Sequence, residues 1–324
     1  GVLLVGDQHQ LSAVQAGGSF GLLARRTSTV ELAELFRFRQ RWEASATRGL
    51  RAGDPGAIDT YAAHGRLHDG DRDSVLDTAY SAWRADIDAG RESLLIAADN
   101  ATVLELNARA RADNVVTGRA SADGIELRDG TTAGVGDRIT TRLNARRLRD
   151  PDGDFVRNGA TWTVQDIRDD GSLVVTPNTA ARPADAPMDR WLLPAEYVAE
   201  HVELGYAITA HRAQSRTVDT AHVITGPGMT REHLYVGMTR GRDANHAYIP
   251  LRDRDPDEPH QQLDLLDQPA TSREVLAQIL AASSAEPSAT ESLARARDPQ
   301  PVVPASRPQP PAPTVDWSHD HGAS

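Results

Sequence analysis

The sequence predicts an α/β fold with a small β-barrel inserted into it. Two apolar runs without alternation, Val2–Val5 and the SLLIAA of residues 93–98, read as parallel strands covered on both faces, and each gives way to an acidic or polar turn. Residues 130–194 break into short β-rich runs separated by turn dipeptides, and strand and helix alternation returns over residues 205–250.

The first run ends in Gly6-Asp7 and is followed by Gln8, His9 and Gln10 before apolar residues resume. The carboxyl end of a buried parallel strand is where α/β sheets hold ligands, so GDQHQL is a candidate site. A plain strand-ending turn is the alternative. Residues 29–49, which contain LFRFRQRW, carry a helical pattern, and 55–63 and 72–89 read as two further helices. After the strand at 93–98 a helix is expected to start behind Asp99-Asn100, with Val103, Leu104, Leu106 and Ala110 on one face. In the β-rich stretch, Asn158-Gly159 between FVR and ATWTV and Asp170-Gly171 between VQDIRD and SLVV are hairpin signals.

Two later stretches carry chemistry. In GYAITAHRAQSRTVD (205–219) a strand runs into Thr209, Ala210 and His211, where a helix starts, so a hydroxyl, an imidazole and free backbone N–H groups face one point suited to phosphate. An ordinary threonine-capped helix is the alternative, with Gln214 exposed. In HLYVGMTRGRDANHAYI (233–249) a helix beginning after Thr230 turns Leu234, Tyr235 and Met238 inward and is expected to end at Gly241, with Arg240 and Arg242 projecting from its last turn. Those arginines either complement the helix dipole or aim planar donors at a phosphate across a cleft.

Composition narrows the field. The 324 residues contain neither cysteine nor lysine, so disulfides, thiolate metal sites and any lysine-dependent site are excluded within this sequence. The net charge of −11 argues weakly against nucleic acid, but residues 251–324 hold 12 Asp and Glu against 6 Arg, a balance of −6. That leaves −5 for residues 1–250, where a basic groove is possible. No apolar run is long enough to span a bilayer and no signal peptide is seen, which makes a cytoplasmic address the default. Beyond Leu251 the chain turns polar and proline-rich, with one short helix expected at 272–283. This end reads as a disordered linker or tail. His319 and His321 stand in it without a third ligand, and no metal site is assigned. Because the sequence opens inside what reads as a core strand, it is expected to be the carboxy-terminal part of something longer.

GDQHQLSAV resembles motif III of superfamily 1 helicases, LFRFR motif IV, GYAITAHRAQSRTVD motif V and LYVGMTRGR motif VI. Their order and spacing resemble the RecD-like branch, and the wording is closest to the helicase part of TraA/MobF-type conjugative relaxases. The resemblance implies an ATP-dependent DNA helicase built on RecA-like parallel sheets. Residues 1–27 would close the first RecA-like domain, 28–129 and 201–250 would form the second, 130–200 an inserted SH3-like β-barrel that helps to hold single-stranded DNA, and 251–324 the tail. By the same resemblance, Gln10 senses the γ-phosphate and Asp7 sets the Gly6-Asp7 turn beside the nucleotide. Arg37 and the arginine finger Arg240 stabilise the transferred phosphoryl group, with Gln214 also beside the nucleotide. Thr209 and His211 meet the DNA backbone, and Asn107 lies near nucleotide or DNA.

Two departures matter. The family has Gly where this sequence has Ser215, at a cost on the order of 1 kcal/mol if that backbone needs positive φ. The phosphate loop G-x-x-x-x-G-K-[ST] and the Asp-Glu pair that hold ATP and Mg2+ are absent. The resemblance therefore implies half a motor site, completed by an amino-terminal RecA-like half, with ATP, Mg2+ and single-stranded DNA as ligands of the complete protein. A non-catalytic single-stranded DNA-binding or interaction remnant of the same fold is the competing reading, and part of a RecD-type repair helicase a third.

Overall fold

A computed structural model describes residues 4–7, 23–24, 27, 29–30, 37–150, 153–178, 190–251 and 271–283. All of them belong to one unit, Gly1–Glu286. Gln10, much of the motif III and IV stretches, and the end of the chain with His319 and His321 lie outside the described residues.

From residue 41 the chain forms α1 (Arg41–Ala52), α2 (Gly56–Ala63), β1 (Leu67–Gly70), α3 (Arg72–Asp88), β2 (Ser93–Ala97) and α4 (Asn100–Val116). Helices α3 and α4 start where the sequence places acidic caps. Asp71 accepts from the Ser74 amide at 2.9 Å and Asp99 from the Thr102 amide at 2.8 Å. Short strands follow: β3 (Ile125–Glu126), β4 (Thr132–Ala133), β5 (Arg138–Thr141), β6 (Ala145–Arg149), β7 (Phe155–Val156), β8 (Thr161–Ile167), β9 (Leu173–Pro177) and β10 (Trp191–Leu193). The chain then runs through α5 (Ala195–His201), β11 (Val202–Leu204), β12 (Ala207–Thr209), α6 (Ala210–Ala213), β13 (Val218–Ile224), α7 (Arg231–Gly237), β14 (Gly241–Pro250) and α8 (Ser272–Ala281).

Five strands form a wholly parallel sheet in the order β1-β14-β13-β2-β12. Strand β2 shows why its sequence does not alternate. Leu95 and Ala97 enter one core with Trp83 of α3 and Leu106 of α4, whereas Leu94 and Ile96 enter the other with Leu234 of α7 and Ile58 of α2. Both faces are covered, so both phases of the period-two pattern are apolar. A second, antiparallel sheet is inserted after α4, in the order β10-β9-β8-β5-β11. Among the described residues no ladder joins β10 to β11, so the expected barrel is seen as an open five-stranded sheet. It reaches Leu204, past the expected limit of residue 200.

Several expectations need correction. Leu4 and Val5 are exposed, at 55% and 85%, and residues 4–7 pair with neither edge of the parallel sheet, so this run is not a buried strand among the described residues. Helix α1 starts only at Arg41. Arg37 to Gln40 are non-helical because they run beside the start of β14, where the Arg39 amide donates to the Arg242 carbonyl at 2.9 Å. Leu104 is 43% exposed, and Asn107 takes its place on the buried face of α4. Asp170-Gly171 does turn a hairpin, with β8 antiparallel to β9 and Gly171 at φ 82. Asn158-Gly159 does not, because β7 pairs with β6 and β8 with β5 and β9. Helix α8, inside the segment read as linker, buries Leu276, Ile279 and Leu280 in the core with α2 and α7. Among the described residues no helix is long and apolar enough to cross a membrane.

Candidate functional site

Arg240 is the centre of the site. Helix α7 is opened by Thr230 and ends at Gly237, four residues earlier than expected, because its last turn hands over to Thr239 and Arg240 before β14 begins. Arg240 therefore does not project. Its side chain is buried, with Nε donating to the Val236 carbonyl at 2.7 Å, Nη2 to the Thr239 hydroxyl at 2.7 Å and Nη1 to the Arg216 carbonyl at 3.2 Å. Ala213 offers a further carbonyl at 3.5 Å. Arg242, the other arginine expected on the helix end, lies in β14 and pairs with Glu92 at 3.3 Å.

The segment before α1 brings a second guanidinium to this point. Arg37 is half-buried and its Nη1 donates to the Thr239 carbonyl, one residue from Arg240. From the chain's beginning comes Asp7, whose carboxylate accepts from the Tyr235 hydroxyl at 3.4 Å. Positions 7, 37 and 240 thus meet around Tyr235. The electrostatics record the convergence: burial first and then the charge of Arg37 push the Arg240 guanidinium down to about 10, while Tyr235 and Asp7 oppose the shift. Burial also lowers Arg37, and burial followed by the charge of Asp7 raises the Tyr235 phenol. Two like charges are held close with one carboxylate nearby, an arrangement that an added anion relieves.

The motif V stretch lies along α7. At one end the His211 and His233 rings meet edge to face, 4.8 Å apart, and partial burial lowers both imidazoles below the ordinary histidine value. Thr209 ends β12 and precedes α6, without a side-chain cap bond to it. At the other end, the Ala213 and Arg216 carbonyls face Arg240. Gln214 ends α6, next to Ala213. Ser215 stands at φ 68, the one positive-φ residue other than glycine among the described residues, which is the condition under which a serine there carries a cost. Gly6 is exposed beside Asp7.

The predicted site residues therefore fall into two groups. Asp7, Arg37 and Arg240 gather near the start of β14, while Thr209 ends β12 and His211 lies in α6. Asn107 belongs to neither. It is buried, accepts from the Tyr206 and Ala207 amides at 2.9 and 2.8 Å, and donates to the Leu204 and Ala207 carbonyls at 3.3 Å each. This side chain is a clamp between α4 and the β11–β12 connection. Its pattern position, on an apolar helix face, is the only sequence sign of that role.

The chain is similar to known proteins along much of its length. Residues 1–72 match the family model described as an AAA domain. A probable conjugal transfer protein TraA of Sinorhizobium fredii (strain NBRC 101917 / NGR234) is 28% identical over 255 residues, which is 78% of this chain and 22% of that protein. The conjugal transfer protein TraA of Rhizobium radiobacter is 28% identical over 262 residues, with the same two coverages.

The chain is similar to the TraA conjugal transfer proteins over 78% of its own length. This TraA-like chain spans about a fifth of their length, 22%. A crystal structure of Pif1 helicase from Bacteroides in complex with ADP-AlF3 and ssDNA superposes with a TM-score of 0.45 at 14% identity, over 81% of this chain and 65% of that one.

Proposed function

We propose that this TraA-like chain is the second RecA-like half of a superfamily 1 DNA helicase or translocase of the RecD-like branch, in a conjugative relaxase, coupling ATP hydrolysis to movement along single-stranded DNA. The observation that carries the reading is the meeting of Asp7, Arg37 and Arg240 around Tyr235, since those positions come from three motifs separated by up to 233 residues and converge on an anion-relievable pair of guanidiniums. Planar donors at that point suit a transferred phosphoryl group, on which charge develops during the reaction. Gln10 and Gln214 would orient the same group from either side, and Thr209 and His211 would meet the DNA backbone.

The donor set fits a phosphate and not a metal. Among the described residues no three His, Asp or Glu side chains are grouped to hold an ion. No step is assigned to Mg2+ on these residues, and the phosphate loop is left to another RecA-like half. Of the two arginines, Arg37 is the freer to reach a nucleotide among the described residues, where it gives one hydrogen bond to the chain and Arg240 gives three at 3.2 Å or less. The saturation of Arg240 also favours a second reading, a DNA-binding module in which this arginine only supports the fold.

One experiment separates them. In the longer polypeptide that includes a phosphate loop, Arg37→Ala should cut DNA-stimulated ATP hydrolysis by about 10³-fold or more, the scale of a lost transition-state arginine, and leave nucleotide affinity nearly unchanged. Near-normal turnover in both Arg37→Ala and Arg240→Ala, measured per folded molecule, would refute the motor reading in favour of the binding module.

A further inference from the structure

We propose that Arg128, Arg142 and Arg212, gathered around Glu203, form a binding site for a backbone phosphate of a nucleic-acid strand at the seam between the inserted sheet and α6. The proposal rests on the DNA-translocase reading above and names side chains, Arg128, Arg142 and Arg212, to which that reading gives no role.

The four side chains come from four elements. Glu203 lies in β11, paired with Thr140 of β5. Arg142 follows the end of β5, held by its amide to the His201 carbonyl at 2.7 Å, and Arg128 follows β3, held by its amide to the Val202 carbonyl at 3.2 Å. Arg212 sits in α6, one residue after His211. The Glu203 carboxylate takes Arg128 on Oε1 at 2.7 Å and Arg212 on Oε2 at 2.9 Å, so both oxygens are engaged by the first two guanidiniums. Arg142 is left at 3.7 Å, and its Nε is buried without a hydrogen-bond acceptor.

Three guanidiniums against one carboxylate leave two positive charges in excess, and among the described residues no other acidic side chain pairs with these three arginines. Holding that excess in a half-buried place is costly unless an anion joins it. The mutual repulsion is visible in Arg142, lowered by burial first and then by the charges of Arg212 and Arg128. The cluster is not sealed: the Arg128 side chain is 48% exposed, while Arg212 and Glu203 are 16% and 11% exposed beneath it. An incoming phosphate oxygen can therefore meet the half-exposed Arg128 first, with the Arg142 guanidinium, 24% exposed, held on the same Glu203 oxygen. Planar, forked donors of this kind match phosphate oxygens. Arg212 shares the four-residue α6 with His211, so a strand whose backbone meets Thr209 and His211 would pass within one helical turn of the cluster. Glu203 orders the arginines before the strand arrives and keeps the affinity moderate, as movement along a strand requires.

The test uses the whole chain, a fluorescein-labelled oligothymidylate and a potassium chloride series read by fluorescence anisotropy. Each phosphate contact on a single strand contributes about 0.7 to the magnitude of the slope of log affinity against log salt. Arg128→Ala and Arg142→Ala should each lower that magnitude by about 0.7 and weaken binding at low salt, whereas Glu203→Gln should tighten it several-fold. Far-UV circular dichroism checks folding, and if Arg142→Ala fails to fold, the half-exposed Arg128→Ala decides alone. Wild-type binding with an unchanged slope in Arg128→Ala overturns this site and leaves the DNA reading standing. Absence of any wild-type binding overturns the DNA reading and this site with it. Displacement by inorganic phosphate at constant ionic strength, lost in Arg128→Ala without a change in slope, would assign the cluster to a small anion and overturn the strand assignment.

Discussion

Replacing Arg240 by alanine should destabilise the fold far more than an exposed helix-end arginine would. The wild-type side chain is 1% exposed and makes hydrogen bonds of 2.7, 2.7 and 3.2 Å to Val236, Thr239 and Arg216. Bonds that involve a charged donor contribute roughly 1.5–3 kcal/mol each, and alanine loses all three. Against that stands the cost of keeping a guanidinium out of water, several kcal/mol, which the variant no longer bears. The Val236 carbonyl keeps the Thr239 hydroxyl at 3.0 Å, so the acceptor most exposed to loss is the Arg216 carbonyl, left half-buried beside an emptied volume. The net is about 3 kcal/mol, the upper part of the range for single substitutions. For a domain of this size that lowers the melting temperature by about 6–12 °C. An exposed arginine that merely complements a helix dipole contributes about 0.3–1 kcal/mol. Differential scanning calorimetry on the wild type, Arg240→Ala and Arg240→Lys decides the matter. Lysine, with one compact donor head, should fall between the other two. A fall of less than about 3 °C for Arg240→Ala would refute the reasoning, since the three bonds would then contribute no more than an exposed cap.

Two further outcomes follow from strained or buried groups. Ser215→Gly should raise stability by about 1 kcal/mol, because the residue stands at φ 68, where a Cβ is penalised; Ser215→Ala should bring no gain, and a melting temperature lowered by the glycine would show that the strain is not there. The second concerns the stacked His68, His222 and His246, which sit among Arg66, Asp86 and Tyr248. Burial and the charges of His222, Arg66 and His68, opposed by Asp86, push His246 down to about 3, and burial lowers the other two. Depressed folded-state values mean that the unfolded chain takes up protons first. Their contribution is therefore complete above about pH 6.5 and is lost as the pH falls, at up to about 1.4 kcal/mol per pH unit for each histidine. Urea midpoints that stay constant from pH 7 to about pH 5 would contradict this, and His246→Gln should flatten the fall.

By itself the sequence determined the elements and their order. The non-alternating Leu94, Leu95 and Ile96, the capping Asp99 and the Asp170-Gly171 turn are local signals, each complete within a few residues, and the structure has a doubly covered parallel strand, a capped helix and a hairpin at those places. Local signals also misled where the partner was remote. The apolar Leu4 and Val5 are exposed, and Asn158-Gly159 turns the chain without pairing its flanks, because strand formation depends on a neighbour that no short stretch specifies. The site was legible as motif positions and not as geometry. A guanidinium at a helix end satisfies the same pattern whether it reaches outward or folds back onto carbonyls, and only the tertiary structure turned Arg240 inward. It also brought Arg37 within reach of Thr239, across 202 positions, and closed Arg128, Arg142 and Arg212 on Glu203. Charge pairing of that kind is long-range in sequence and short-range in space. Periodicity, which is local in both, cannot carry it.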